Sequence, residues 1–248
     1  MRLEGKLAVV TGAATGIGYA AAQALCEEGA HSVVADIDLE GAERAAGELG
    51  RKGYGASSIR VDISSVSDIE RCVRELLARH SKIDILVNNA GTYSTVPIPK
   101  MTEGEWDRVM NVNLKGTFFL SREVLPSMIE RRYGKIVNVA SLAAKRGGVT
   151  SGVNYGASKA GVVSVTKYLA TYAAPFGVNV NAVVPGFAET KMFRMNSPEK
   201  IVALLKTIPL GRVARPEELG KAIAFLASDD ASYITGEIMD VNGGIHMD

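Results

Sequence analysis

The chain has 248 residues, 47% of them hydrophobic, and 28 Lys plus Arg against 27 Asp plus Glu leave a net charge of +1. So much apolar material excludes a disordered chain and suits one sizeable core, while the balanced charge excludes a basic nucleic-acid footprint and a polybasic membrane patch. Two cysteines, Cys26 and Cys72, are too few for a disulfide framework and fit a reducing cytosol, each as a small thiol in a helical pattern.

The apolar run at 7–10 is too short for a signal peptide, and no stretch approaches the ~20 apolar residues of a membrane span. The expectation is a soluble cytoplasmic protein. Runs rich in Val and Ile at 7–10, 32–35, 58–61, 83–87, 135–139, 179–184 and 237–240 read as strands. Amphipathic patterns near 16–29, 39–52, 66–80, 102–132, 153–174 and 216–227 read as helices between them. Continuous apolar strands separated by helical crossovers predict a parallel sheet buried on both faces. The expected fold is therefore α/β: one domain over 1–248, a doubly wound Rossmann-type fold with a seven-stranded, mostly parallel sheet flanked by helices. Residues 186–212, with Pro198 and Pro209, lack a regular pattern and follow the sixth strand's carboxyl end. Ligands bind at that edge of such sheets, so this segment is the expected substrate loop.

The first strand runs into Thr11-Gly12-Ala13-Ala14-Thr15-Gly16-Ile17-Gly18 and then a helix. Gly12 suits the tight turn, Gly16 a close approach of phosphate to backbone, and Gly18 close packing of helix on sheet. The helix N-terminus presents unpaired N–H groups to a pyrophosphate. Asp36 ends the second strand, eighteen residues after Gly18. A carboxylate there accepts hydrogen bonds from the adenosine ribose hydroxyls and repels a 2′-phosphate. No Lys or Arg stands at 13–17 or 37–38, and Asp38 adds negative charge, so the expected cofactor is NAD rather than NADP. Asp62, after the third strand, is placed either to cap the adenine amino group or to start a turn. Asn88-Asn89-Ala90-Gly91 either ties strand ends together and leaves room for the adenosine half of the ligand, or is a plain turn.

Tyr155 and Lys159 lie one helical turn apart on one face. An ammonium about 5 Å from a phenol, at an effective dielectric of about 20, favours phenolate by about 3 kcal/mol, some two pKa units. The pair therefore predicts a general acid/base for a carbinol oxygen. Ser141, just past the fifth strand, is placed to donate to that oxygen or to cap a helix. Lys145 and Arg146 either form a solvated turn or reach an anionic substrate group. Tyr93, Leu142, Val149, Phe187, Met192 and Phe193 are among the expected walls of the substrate pocket. His31, His80 and His246 show no ligand spacing, so no metal is expected.

Together, TGAATGIG at 11–18, NNAG at 88–91, Asn113 in NVNLKG, Ser141, YGASK at 155–159, NAVVPG at 181–186 and ITGEIMDVNGG at 234–244 resemble the short-chain dehydrogenase/reductase family over nearly the whole chain. The resemblance implies Tyr155 as catalytic acid/base, Lys159 on the nicotinamide ribose, and Ser141 on the substrate oxygen. It implies that Asn113 breaks the long helix and holds a water on a proton path. It implies a cofactor set of Gly12, Thr15, Gly16, Ile17, Gly18, Asp36, Asp62, Ile63, Asn89, Ala90, Gly91, Tyr155, Lys159, Pro185, Gly186, Ala188 and Thr190. Ala188 stands where the family commonly has Val or Ile, a change that backbone bonding to the carboxamide tolerates. The implied reaction is reversible hydride transfer between NAD and a secondary alcohol or ketone, in a homotetramer built through 102–132, 153–174 and the C-terminal strand. A 3-oxoacyl-thioester reductase is the nearest alternative within the class, though Asp36 argues against the NADPH that reductive biosynthesis usually draws on. A non-catalytic NAD sensor is the alternative outside it.

Overall fold

Strands β1 (Leu7–Thr11), β2 (His31–Asp36), β3 (Ala56–Arg60), β4 (Ile85–Asn88), β5 (Gly134–Val139), β6 (Val178–Pro185) and β7 (Ile238–Val241) line up in the order β3-β2-β1-β4-β5-β6-β7, every neighbouring pair parallel. They belong to a computed structural model that describes residues 1–148, 151–190, 193 and 197–247, without the side chains of 198 and 200. The strand order reverses between β1 and β4, which opens a crevice above their carboxyl ends.

The helices are α1 (Gly16–Glu27), α2 (Leu39–Arg51), α3 (Val66–His80), α4 (Glu103–Met110), α5 (Thr117–Glu130), α6 (Leu142–Arg146), α7 (Val153–Ala173), α8 (Pro198–Leu205) and α9 (Pro216–Leu226). Strand side chains alternate between the two faces. Val10 and Val34 pack with Leu25, Leu49 and Ile223 on the α1/α2/α9 side, whereas Val9 and Val33 pack with Ile69, Leu120 and Met128 on the α3/α5/α7 side. This is the doubly wound arrangement expected from the apolar runs. Cys26 and Cys72 are both buried and free, and burial pushes the Cys72 thiol up to about 12.

Two expectations change. The pattern at 102–132 is not broken at Asn113. It continues through a π-helical turn at Asn111–Gly116 that joins α4 to α5. The wider turn lets Gly116 lie against the carbonyl of Ile63, where a Cβ would stand 2.5 Å from that oxygen. The 186–212 segment is not wholly irregular either. Pro198 opens α8, its missing N–H costing nothing at a helix start, and Ala188 bridges Ala214.

Candidate functional site

The turn leaving β1 has Gly12 at φ +62° and Gly16 at φ +63°, a conformation that side chains with a Cβ resist. Thr11 fastens this turn to the end of β4. Its Oγ1 accepts from Asn89 N and Ala90 N, each at 3.1 Å, and Asn89 Nδ2 donates to the carbonyls of Thr11 (2.9 Å) and Gly12 (3.0 Å). Asn88 ties β4 sideways, from Nδ2 to Asn138 Oδ1 at 2.8 Å and to Ser121 Oγ at 2.9 Å. The strand-tying reading of the two asparagines therefore holds, and Thr11, which read only as part of the turn, proves to be its main fastener.

Thr15 caps α1 in an extended conformation without a side-chain bond, and no acid stands in the first turn. The first N–H groups of α1 thus face the crevice with their positive partial charge uncompensated by side chains. Thr190 overhangs the turn, its Cγ2 3.7 Å from where a Cβ on Gly16 would lie. A glycine cradle, a bare helix N-terminus and a hydroxyl residue overhead fit the pyrophosphate of a dinucleotide.

Gly18 has a sharper role than general helix–sheet packing. A Cβ there would stand 2.3 Å from Gly12 O and 2.5 Å from Asn89 Nδ2. Gly18→Ala is expected to push the turn off the end of β4, at a cost of roughly 2 kcal/mol or more, and to weaken dinucleotide binding. Thermal unfolding and a dinucleotide titration check this; unchanged values in both would refute it.

Asp36 is half-buried and doubly anchored. Ala14 N donates to Oδ2 at 3.0 Å and Asp38 N to Oδ1 at 3.1 Å. Arg44, on α2, is a nearby cation that the sequence reading did not weigh. It stands 3.8 Å from Asp38 and 3.7 Å from Glu40, between two acids. Asp62 does turn work, its Oδ1 accepting from Ser64 N (2.9 Å) and Ser64 Oγ (2.7 Å). Ile17 is half-buried against the core, and Ile63 is buried against Gly116.

Gly91 has neighbours that the sequence did not point to. A Cβ on it would lie 3.3 Å from Asn113 Oδ1 and 3.5 Å from Lys159 Nζ. It therefore also makes room beside the Tyr155–Lys159 helix.

Ser141 begins α6 as its N-cap, its Oγ accepting from Ala143 N at 3.1 Å, and its hydroxyl sits near enough to Tyr155 to favour the phenolate. The capping reading is therefore the one that the structure displays directly. Lys159 is buried and donates from Nζ to Val139 O at 2.7 Å. Asn113 is fully buried, with Nδ2 donating to Thr92 O and to Ser158 Oγ, each at 3.0 Å, and Oδ1 accepting from Thr92 N at 2.7 Å. Tyr93 sets its ring edge-on to Tyr155, centroids 5.0 Å apart.

The electrostatics correct the expected phenol. Burial pushes Tyr155 up, the Ser141 hydroxyl pulls it partly back, and Tyr93 adds to the rise; Lys159 is not among the causes. Burial in turn pushes the Lys159 ammonium down to about 8. The simple pairing of two charges omitted desolvation, which raises a buried phenol and lowers a buried ammonium.

Lys159 carries its own prediction. Its folded value lies below the ordinary 10.5, so between about pH 8 and 10 the unfolded chain binds more protons. Raising the pH across that window should stabilise the unliganded fold by something on the order of 2 kcal/mol. Lys159→Met should lack this increment, as measured by denaturant unfolding at both ends of the window. An identical pH response in the two proteins would refute it.

Pro185 ends β6, and Gly186 follows where a Cβ would lie 2.9 Å from Asn242 Cα. The Ala188–Ala214 bridge uses Ala214 N to Phe187 O and Glu189 N to Ala214 O, both 2.9 Å. Ala188's own N–H lies outside that pair of bonds and points the other way. Lys145 pairs with Asp240 Oδ2 at 2.6 Å, while Arg146 is exposed. Val149 and Met192, expected in the pocket wall, lie outside the described residues. Among the described residues no cluster of three or more His, Cys, Asp or Glu could hold a metal, and no helix is long and apolar enough to cross a membrane.

Residues 12–246 match a family described as Enoyl-(Acyl carrier protein) reductase. A 3-oxoacyl-(acyl-carrier-protein) reductase FabG from Vibrio cholerae is 41% identical over 247 residues, covering 100% of both chains. The crystal structure of gox2181 superposes with a TM-score of 0.95 at 37% identity, covering 98% of this chain and 96% of that one. A proposed gluconate dehydrogenase from Agrobacterium tumefaciens also reaches 0.95, at 32% identity and 98% and 96% coverage.

Proposed function

This chain belongs to the short-chain dehydrogenase/reductase family of nicotinamide-dependent oxidoreductases, and we propose that it interconverts a 3-oxoacyl and a 3-hydroxyacyl thioester with NAD(H) as cofactor. The observation that carries the chemistry is the hydroxyl pair Ser141–Tyr155 beside the buried Lys159 at the carboxyl edge of β5. Burial keeps the Tyr155 phenol protonated at neutral pH, the form that donates a proton to a carbonyl oxygen. The bound dinucleotide supplies or accepts the hydride. Ser141 polarises the substrate oxygen, Tyr155 gives or takes its proton, and Lys159 orients the ribose hydroxyls. Asn113 keeps the π-helical turn fastened to Thr92 and to Ser158 on the Lys159 helix. In the reducing direction Tyr155 would give the proton that turns the 3-keto oxygen into a hydroxyl, beside the hydride that a bound dinucleotide would supply.

The thioester substrate is inferred from the reductases of that name to which the chain is similar along its full length. A second reading, a small secondary alcohol or ketone as substrate, is favoured by the acid at Asp36, because dehydrogenases that oxidise small alcohols commonly pair with NAD. The NADH absorbance test uses an acetoacetyl thioester against a panel of ketones and polyols. Turnover of the thioester well above the panel supports the first reading; the reverse order supports the second. Tight NAD binding without turnover of anything leaves a sensor.

The homotetramer remains part of this proposal. Tyr168 and Tyr172 on α7 are exposed, and Met110, Leu114, Phe118 and Val165 line a shallow apolar groove between the α4–α5 helix and α7. Both suit contact with further copies. Light scattering reads the assembly size.

A further inference from the structure

The loop at 92–94, between β4 and α4, has no regular secondary structure, yet two side chains and one backbone N–H fix it from three directions. Asn113 holds both backbone polar groups of Thr92. Arg108, on α4, donates from Nη1 to Thr92 Oγ1 and from Nη2 to Tyr93 O at 3.1 Å. Gly152, at the start of α7, donates from its N–H to Ser94 O at 2.6 Å. The Arg108 guanidinium is itself held by Glu105, Nε to Oε2 at 2.8 Å and Nη2 to Oε1 at 2.9 Å. The nearby Ser94 hydroxyl also helps to hold the Glu105 carboxyl down. Asn154 closes the ring, donating to Glu105 O at 3.1 Å and accepting from Tyr155 N at 2.9 Å. At the centre of this bracket, Tyr93 stands edge-on to Tyr155.

We propose that Arg108, braced by Glu105, is a positioning residue for the reaction: it holds the 92–94 loop so that the Tyr93 ring stays against Tyr155, walls the substrate cleft and keeps water off the catalytic phenol. The inference rests on Tyr155 being the acid/base. Arg108 suits the task because one planar guanidinium makes all these bonds at once, which an ammonium cannot. Its side chain is 46% exposed. Exposed pairs add little to global stability, so the clamp acts locally.

The pH profile distinguishes a clamp from a merely structural contact. The titratable groups around Tyr155 are Tyr93 from the loop and Lys159 from its own helix. From α6 comes the Ser141 hydroxyl, with Lys145 turned to Asp240 and Arg146 exposed. From α4 come Arg108 and Glu105, whose charges cancel; the Arg108 bonds hold the Glu105 carboxyl down to about 2, so the brace lasts through the assay range. Removing the Tyr93 ring, or releasing it, lets water reach the phenol and favours phenolate. In the oxidising direction, which needs phenolate, the acid limb of the kcat profile should then move to lower pH.

The test compares Arg108→Met, Tyr93→Ala and the double variant with the native chain. Both single variants are expected to shift the acid limb down by about half a unit to one unit and to lower kcat/KM about tenfold. The double variant should shift no further, because both act through one ring. An unmoved limb in Arg108→Met beside a shift in Tyr93→Ala would overturn the clamp. So would no shift in Tyr93→Ala, or additive shifts in the double. Should Arg108→Met lose its fold, Glu105→Gln leaves the guanidinium in place but unbraced, and the same limb is read there. Tyr155→Phe is run alongside: full turnover in that variant would defeat the underlying acid/base reading and not the clamp itself.

Discussion

Tyr155→Phe is expected to lower kcat by about a thousandfold, while the Kd for NAD changes by no more than about threefold. The substitution is clean because the ring's packing does not depend on its hydroxyl. Phe keeps the edge-on contact with Tyr93, and the backbone N–H still bonds Asn154 Oδ1. What disappears is the proton that the phenol shares with Ser141 and the substrate oxygen. Ser141→Ala is a poorer probe. It removes the hydroxyl but also the cap that accepts from Ala143 N, so about 1 kcal/mol of helix α6 stability is lost with the chemistry. Stopped-flow NADH absorbance with a dinucleotide titration separates the two quantities. A Tyr155→Phe protein with native kcat would remove the acid/base from the site and the proposed reaction with it. The same experiment has a direction. Since burial raises the phenol, reduction should run well at neutral pH, and oxidation should climb with pH until the phenolate form is filled.

The fold was readable wherever it depends on short-range pattern. Runs such as 7–10 and 83–87 are largely apolar because both of their faces are covered, and that property is written in the sequence. The glycine turn was equally plain, since Gly12 and Gly16 both take a positive φ that the local pattern already suggests. What escaped depends on neighbours far along the chain. The direction of the Tyr155 shift depends first on burial, to which distant neighbours such as Tyr93, sixty-two residues earlier and edge-on to the ring, contribute. Gly91 serves the Lys159 side of the crevice because Asn113 arrives there through a π-helical turn, and hydropathy does not distinguish that turn from ordinary helix. Lys145 read as a candidate for substrate charge because Asp240, ninety-five residues away, supplies its partner only in three dimensions. Pro198 read as irregular chain, although it stands at the first position of α8, where proline is at home.

Asp36→Ala is expected to raise the NADP-to-NAD ratio of kcat/KM about a hundredfold. A 2′-phosphate carries nearly two negative charges at neutral pH. Set a few ångströms from a half-buried carboxylate at an effective dielectric of about 20, it meets repulsion of a few kcal/mol, and about 2.7 kcal/mol corresponds to a hundredfold. The anchoring of the carboxylate strengthens the effect. Ala14 N and Asp38 N hold Asp36 in place, so it cannot swing away from an incoming phosphate. Once the side chain is gone, the same two N–H groups become free donors to a phosphate oxygen. Arg44 limits the gain, for it is already drawn to Asp38 and Glu40. Asp36→Ala combined with Asp38→Asn should therefore go further than the single change, by releasing the guanidinium towards the same corner. Initial rates with both cofactors give the ratio for each variant. A ratio unmoved by Asp36→Ala would mean that this carboxylate does not face the ribose, and the choice between NAD and NADP would then have to be made by other residues of the crevice.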